Sequence, residues 1–179
     1  MKVWLVLAIK CAFLLSMYAQ EAFRGKVWGS SVSALPNREY SETESDGIAS
    51  YDGYEDRKDP KFINGVRLHN ILYFYKDNKL VKVKVTLRED KEGDADAILG
   101  YLQSIYGSEI KKENIYTGSR LYTQTRYTFQ DKNGNYIEYY KNEWKDKSIF
   151  TDEFVRTNNT IRSYFVIYSP NMHASMSDW

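Results

Sequence analysis

Cysteine, histidine and proline are nearly missing from these 179 residues, with one, two and three copies respectively. The lone Cys11 excludes an internal disulfide. Lys10 before it and Ala12-Phe13-Leu14-Leu15 after it also lack the small residue that precedes a lipid-modified cysteine. His69 leads into a predicted strand while His173 lies in the C-terminal tail, so the two do not read as a metal or acid–base pair. There is no Gly-x-Ser-x-Gly elbow, no His-Glu-x-x-His helix and no phosphate-cradling glycine loop, and the serines have no evident base. The sequence therefore predicts no catalytic residue, no metal and no cofactor. Excess charge is missing too: 25 basic residues face 24 acidic ones, so nothing calls for nucleic acid or an anionic membrane.

A long apolar run is also absent. The opening MKVWLVLAIKCAFLLSMYAQ carries Lys2, an apolar stretch from Val3 to Tyr18, and Ala19. That stretch is shorter than the roughly 20 residues of a membrane span and is interrupted by Lys10. We read residues 1–19 as a signal peptide cleaved at Ala19, the alternatives being an uncleaved anchor or a buried N-terminal helix. The exported remainder, periplasmic or secreted, would keep no stable membrane span and no cysteine. Without Lys2 and Lys10 it balances 23 basic against 24 acidic residues. Residues 20–179 make a single domain large enough to bury roughly two-thirds of its unfolded surface, with a flexible tail from about residue 170. An aromatic share of 16%, mostly tyrosine, argues for half-buried strands.

What is present reads as α+β: a curved antiparallel sheet with one long and one short helix packed on one face. Ile71–Tyr75 and Leu80–Leu87 flank Asp77-Asn78, residues that accept the positive φ of a tight hairpin turn. Val81, Val83, Val85 and Leu87 alternate with Lys82, Lys84, Thr86 and Arg88, giving one apolar and one wet face. Arg126–Gln130 and Tyr136–Tyr140 flank Asn133-Gly134, a second hairpin signal. Between them DADAILGYLQSIYG predicts a helix capped by Asp94 and stopped by Gly107. Its apolar stripe is Ala95, Ile98, Leu99, Leu102, Ile105 and Tyr106, with Gly100 allowing close approach to the sheet. Ser163–Ser169 is apolar on both faces and is expected inside the sheet, ended by Pro170. Ser41–Asp46 and Tyr51–Pro60 read as acidic surface loops around a short strand at Gly47–Ser50. Element order also repeats: a short helix then strands, followed by a longer helix then strands.

In Phe23–Ser31, FRGKVWGSS, Gly29 allows a sharp turn over which Trp28 folds, and Ser30 or Ser31 can cap a short helix over Val32–Leu35 that Pro36 ends. Together with LYFYKDNKLVKVKV and the helix end Leu102–Gly107 (LQSIYG), this opening resembles small exported bacterial proteins of unassigned function. The resemblance covers about two-thirds of the exported part. It implies an architecture similar to outer-membrane assembly lipoproteins and the beta-lactamase inhibitory protein, with helices on one face of an antiparallel sheet. It carries over no catalytic residue.

These readings point to a non-catalytic exported binding protein of the cell envelope. Its partner would be a protein or another envelope component, of unstated identity and oligomeric state. Tyrosine offers rigid contact area with a polar tip, so the outer sheet face is the expected ligand surface. Tyr140 and Trp144 are its candidate anchors, alongside the aromatic Tyr122, Tyr127, Tyr136 and Tyr139. An alternative is an inhibitor of a secreted enzyme, inserting a protruding loop around Tyr51–Asp59 that carries Tyr51 and Tyr54. A third is a hydrolase using paired carboxylates drawn from Glu42, Glu44, Asp46, Asp52, Glu55, Asp56 and Asp59, which otherwise read as solvated loop acids. Lys76, Lys79, Lys82, Lys84 and Arg88 interleave with Tyr73 and Tyr75, a pattern that can grip single-stranded nucleic acid but reads here as a wet strand face that discourages edge pairing. Asn158-Asn159-Thr160 is formally a glycosylation sequon.

Overall fold

The computed structural model describes residues 20–89, 91, 93–118, 122–144, 162–170 and 172. The expected signal peptide over residues 1–19, the sequon, residues 171 and 173–179 of the expected tail with His173, and the side chain of Trp144 lie outside the described residues. A small hairpin of β1 (Glu21–Phe23) and β2 (Lys26–Val27) is followed by a 3-10 turn over Val32–Ala34. Then come β3 (Arg38–Ser45), β4 (Ser50–Asp56), β5 (Phe62–Ile63), β6 (Val66–Lys76) and β7 (Lys79–Leu87). Helix α1 (Asp94–Tyr106) precedes β8 (Lys111–Ile115), β9 (Tyr122–Gln130), β10 (Tyr136–Trp144) and β11 (Tyr164–Tyr168). The main sheet runs β3-β4-β6-β7-β11-β10-β9-β8 with every neighbour antiparallel, and β5 pairs with β6 off that path. The class is α+β, dominated by antiparallel sheet. The second helix expected from sequence is no more than the 3-10 turn, cut short by Pro36.

The echo in element order is a duplicated topology. Each half is a helical segment followed by a meander, β3-β4-β6-β7 in one and β8-β9-β10-β11 in the other, and the halves join through their last strands. The β7–β11 seam pairs Val83 with Ile167 and Val85 with Phe165 on one face, and Lys82, Lys84 and Thr86 with Tyr168, Val166 and Tyr164 on the other. Strand β11 is interior, as its two apolar faces require.

Both hairpin turns form where the sequence places them. Asp77 and Asn78 have φ of 50° and 59°, the pair of positive values a two-residue hairpin needs, and Gly134 has φ 82°. The acidic stretch departs from expectation. Ser41–Ser45 belongs to β3 and Tyr51–Asp56 to β4, while Gly47-Ile48 makes the turn between them. Strand and loop are thus exchanged relative to the sequence reading. An edge strand needs no apolar face, so β3 carries polar residues that are exposed almost throughout.

The core lies between α1 and the near face of the sheet. Ile98 and Leu102 are fully buried against Ile71, Tyr73, Val83, Val85, Phe129, Ile137, Tyr139 and Phe165, with Leu99 and Tyr106 packed partly on them. Tyr139 donates its hydroxyl to the Ala95 carbonyl at 2.8 Å, which ties the helix start to β10. Ile105 does not join this stripe; it is 51% exposed. Val81 also leaves it. A register shift between Phe74 and Tyr75 brings Leu80 into the core and turns Val81 to the opposite face. The helix cap is Gly93 rather than Asp94, whose carboxylate instead accepts the Lys91 amide at 3.0 Å. Gly107 closes the helix with φ 84°. The 3-10 turn has no serine cap either: Asn78 Oδ1 accepts the Val32 amide at 3.0 Å.

The opening Trp-Gly-Ser is a clasp. Trp28 Nε1 donates to Asn135 Oδ1 at 2.6 Å, and the Gly29 and Leu80 amides donate to the Leu80 and Ser30 carbonyls. The N-terminal segment thereby reaches the β9–β10 turn and the start of β7 at once.

Two glycines give opposite predictions. A Cβ on Gly100 meets open space, so this glycine permits no close approach, and Gly100→Ala should stabilise the domain by about 0.5–1 kcal/mol in urea unfolding. On Gly53 a Cβ would sit 2.8 Å from Phe74 Cε1 and 3.1 Å from the Glu42 carbonyl oxygen. Gly53→Ala should destabilise by about 1–3 kcal/mol in the same measurement.

Candidate functional site on the second face of the sheet

The face turned away from α1 is set by alternation from the register. It carries Glu42 and Glu44 on β3, Tyr51 on β4, Leu72 and Phe74 on β6, and Lys82 and Lys84 on β7. Beyond the seam follow Tyr164, Val166 and Tyr168 on β11, Glu138 and Tyr140 on β10, Arg126 on β9, and Lys111 and Glu113 on β8.

Most of these charges are matched within the sheet. Lys82 and Lys84 both donate to the Glu44 carboxylate, the latter at 2.6 Å. The Lys82 ammonium also lies 4.2 Å from the Phe74 ring centroid and 5.0 Å from that of Tyr51, and Lys82 is only 8% exposed. The expected wet face is therefore largely closed at this lysine, because a carboxylate and two aromatic faces replace its water. Arg126 bridges Glu113 and Glu138, the second at 3.2 Å. Tyr140 and Tyr168 donate their hydroxyls to Glu138 Oε2 at 2.8 and 3.2 Å. The Tyr140 ring stacks on Tyr164 with centroids 4.7 Å apart.

The titration shifts follow from this ladder. Burial works against the Glu44 carboxylate, but the hydrogen-bonded ammoniums of Lys82 and Lys84 outweigh it and hold its pKa below the ordinary 4.5. Burial, reinforced by Glu138, pushes Tyr140 up, and Tyr164 is pushed up to about 12 by burial and then by Glu138 and Glu44. The Tyr51 hydroxyl donates to Asp46 at 2.5 Å. That bond, with the Ala49 and Ile48 amides, brings Asp46 down to about 2.

The four tyrosine and tryptophan candidates are not brought together. Tyr51 and Tyr140 share the second face but lie four strands apart, roughly 19 Å at the usual strand spacing. Tyr54 faces the helix side, between the rings of Tyr40 and Tyr75. Trp144 ends β10 opposite Tyr122. The loop expected to protrude at Tyr51–Asp59 is mainly β4, an inner strand held on both sides. Tyr73 and Tyr75 also face the helix, so they do not interleave with the lysines.

The acids expected to be solvated are mostly engaged. Glu44 and Asp46 are paired as above, Asp56 with Lys26 at 3.0 Å, Glu55 with Lys61 at 2.8 Å, and Asp59 with the Tyr73 hydroxyl. A cleft of about 470 Å³ on the helix side holds Glu21 and Asp131. There Asp131 accepts the Asn133 and Asn135 amides at 2.8 Å each, and Glu21 the Gly25 amide at 2.7 Å. Both carboxylates are spent on their own turns. Among the described residues no group of three acids, histidines or cysteines is placed to hold a metal. No described helix is long and apolar enough to cross a membrane.

One region stands apart from the matched ladder. At the lower end of the second face, beside the Trp28 clasp, a cleft of about 510 Å³ is lined by Trp28, Tyr51, Val81, Pro170, Lys76 and Lys79 among others. Lys76 and Lys79 flank the Asp77-Asn78 turn as a directly opposed cross-strand pair. Like charges in that position repel, and neither ammonium has a carboxylate within 4 Å among the described residues. Sequence reasoning grouped these two with Lys82 and Lys84. The signal that separates them is their symmetric placement about a two-residue turn.

Comparison with family models, with curated proteins and with solved structures finds no match to this chain.

The Glu44 bridge predicts a pH dependence. Its pKa is depressed by folding, so its contribution is complete above the ordinary value of 4.5 and is lost as pH falls through the lower folded value. Glu44→Gln should cost about 1.5–3 kcal/mol at pH 7. Urea titrations at pH 7 and pH 3 should show the gap between wild type and variant narrowing at the lower pH.

Proposed function

We propose that this chain is a non-catalytic, exported binding protein of the cell envelope, and that its ligand enters the cleft between the Trp28 clasp and the β6–β7 turn. The observation that carries the reading is the pair of opposed lysines at the mouth of a partly apolar cleft. No acidic side chain lines that cleft among the described residues. Among the described residues the other lysine and arginine charges on this face are satisfied internally, which leaves this pair as the place for an anion there. The volume of about 510 Å³ falls within the roughly 300–1,000 Å³ typical of ligand pockets. The leader supports export, and the engagement of the acidic residues in ion pairs and turn hydrogen bonds supports a role without acid–base chemistry. Tyr51 contributes to the site as a wall of the cleft. Tyr140 lies outside the cleft, hydrogen-bonded to Glu138 and stacked on Tyr164.

The reading is tested by fractionating cells that express the full chain. The protein should be recovered outside the cytoplasm with the envelope. The Lys76→Glu, Lys79→Glu double variant, altered only at exposed turn positions, should keep its melting temperature and lose most of that association. Equal partitioning of the two proteins would defeat the proposal, as would retention of the wild type in the cytoplasm.

A further inference from the structure

We propose that the ligand of this cleft is a free, single-chain fatty carboxylate, with its head held between Lys76 and Lys79 and its chain laid along Val81, Pro170 and Met172. This rests on the reading of the cleft as the binding site and adds the chemistry of what fills it. Three features of the cleft select the ligand.

The first is charge. Two ammoniums face each other across the end of a hairpin, where one interposed anion turns a repulsive pair into two attractive ones. Glu44 and Asp46 are committed to Lys82, Lys84 and Tyr51, and no acidic side chain lines the cleft among the described residues. The second is the wall. Val81 was turned out of the main core by the register shift beside Tyr75, and it packs with Met172, Tyr51, Leu72 and Phe74 in a separate apolar cluster. A chain entering from the lysines therefore meets apolar side chains, and a small polar anion such as phosphate would leave that wall unused. The third is size. Trp28, Gly29, Ser169 and Pro170 line the cleft as well, and its volume of about 510 Å³ suits one flexible chain better than a folded partner. Met172, unbranched and flexible, also adapts to chain position at little cost.

The test titrates the full chain by calorimetry with octanoate, decanoate and laurate, each below its micelle concentration. Burial of each methylene is worth roughly a factor of four in affinity. Affinity should therefore rise by about fifteenfold for each two-carbon step while the chain still finds apolar wall. Lys76→Gln, Lys79→Gln should weaken laurate at least tenfold. Val81→Asp should flatten the chain-length series, and dodecyltrimethylammonium should not compete. If Val81→Asp fails to fold, Met172→Gln serves in its place.

The ligand class is overturned if the three carboxylates bind equally or not at all, or if phosphatidylglycerol vesicles bind the chain while monomeric laurate does not. Loss of envelope association in the charge-reversed variant without laurate binding would leave the site standing and remove only the fatty carboxylate. Loss of neither would remove both.

Discussion

The pairing of β7 with β11 is the contact on which the rest of the molecule depends. It joins two meanders of the same topology through their final strands, so one register fixes which residues of both halves share a face. On the helix side it aligns Val83 and Val85 with Ile167 and Phe165, the floor on which Ile98 and Leu102 pack. On the other side it sets Lys82 and Lys84 beside Tyr168 and Val166, and so brings the first half's charges up to the second half's tyrosines. A slip of one residue at this seam would exchange the two faces. The apolar pairs then supply the energy, and the ionic ladder fixes the alignment.

That ladder also explains how a strongly charged sheet stays closed. Glu44 on the edge strand reaches across β4 and β6 to two lysines on β7, which ties the polar β3–β4 hairpin to the strand beyond Phe74. Buried ion pairs return little net stability, because desolvation consumes most of the attraction. Here the lysine is also covered by two ring faces, so its desolvation is partly compensated. The role of the pair is then to dictate where the edge hairpin lies.

Legibility in the sequence followed the strength of local signals. The Asp77-Asn78 and Asn133-Gly134 turns, the helix end at Gly107 and the interior strand at Tyr164–Tyr168 were all readable, because each is written in residues within a few positions of one another. The edge strands were not. β3 has no apolar alternation to read, and β8, Lys111–Ile115, is likewise short and polar; both exist because an inner strand offers them hydrogen-bond partners. Ile105 and Val81 matched the right period yet ended outside the main core, Ile105 exposed although the next residue, Tyr106, packs on Phe129, and Val81 through a register shift. The site was legible least of all. Tyr140, Tyr51 and Tyr54 were chosen for residue type, but which face and which neighbours a tyrosine receives is decided by long-range register. Trp28 was read as a turn residue, yet its partner Asn135 lies 107 positions away.

The contrast between matched and unmatched charge gives the second face its direction. From β3 to β8 a cation or a tyrosine hydroxyl answers nearly every carboxylate, and these contacts cost little to keep because they also order the strands. The β6–β7 turn does the reverse. Two lysines are held opposite one another by a hairpin whose geometry is fixed by Asp77 and Asn78, beside apolar side chains that the main core does not use. An opposed lysine–glutamate pair would be favourable there, and the opposed lysine pair is not. The exception to the sheet's charge pairing and the opening beside the clasp fall at the same place.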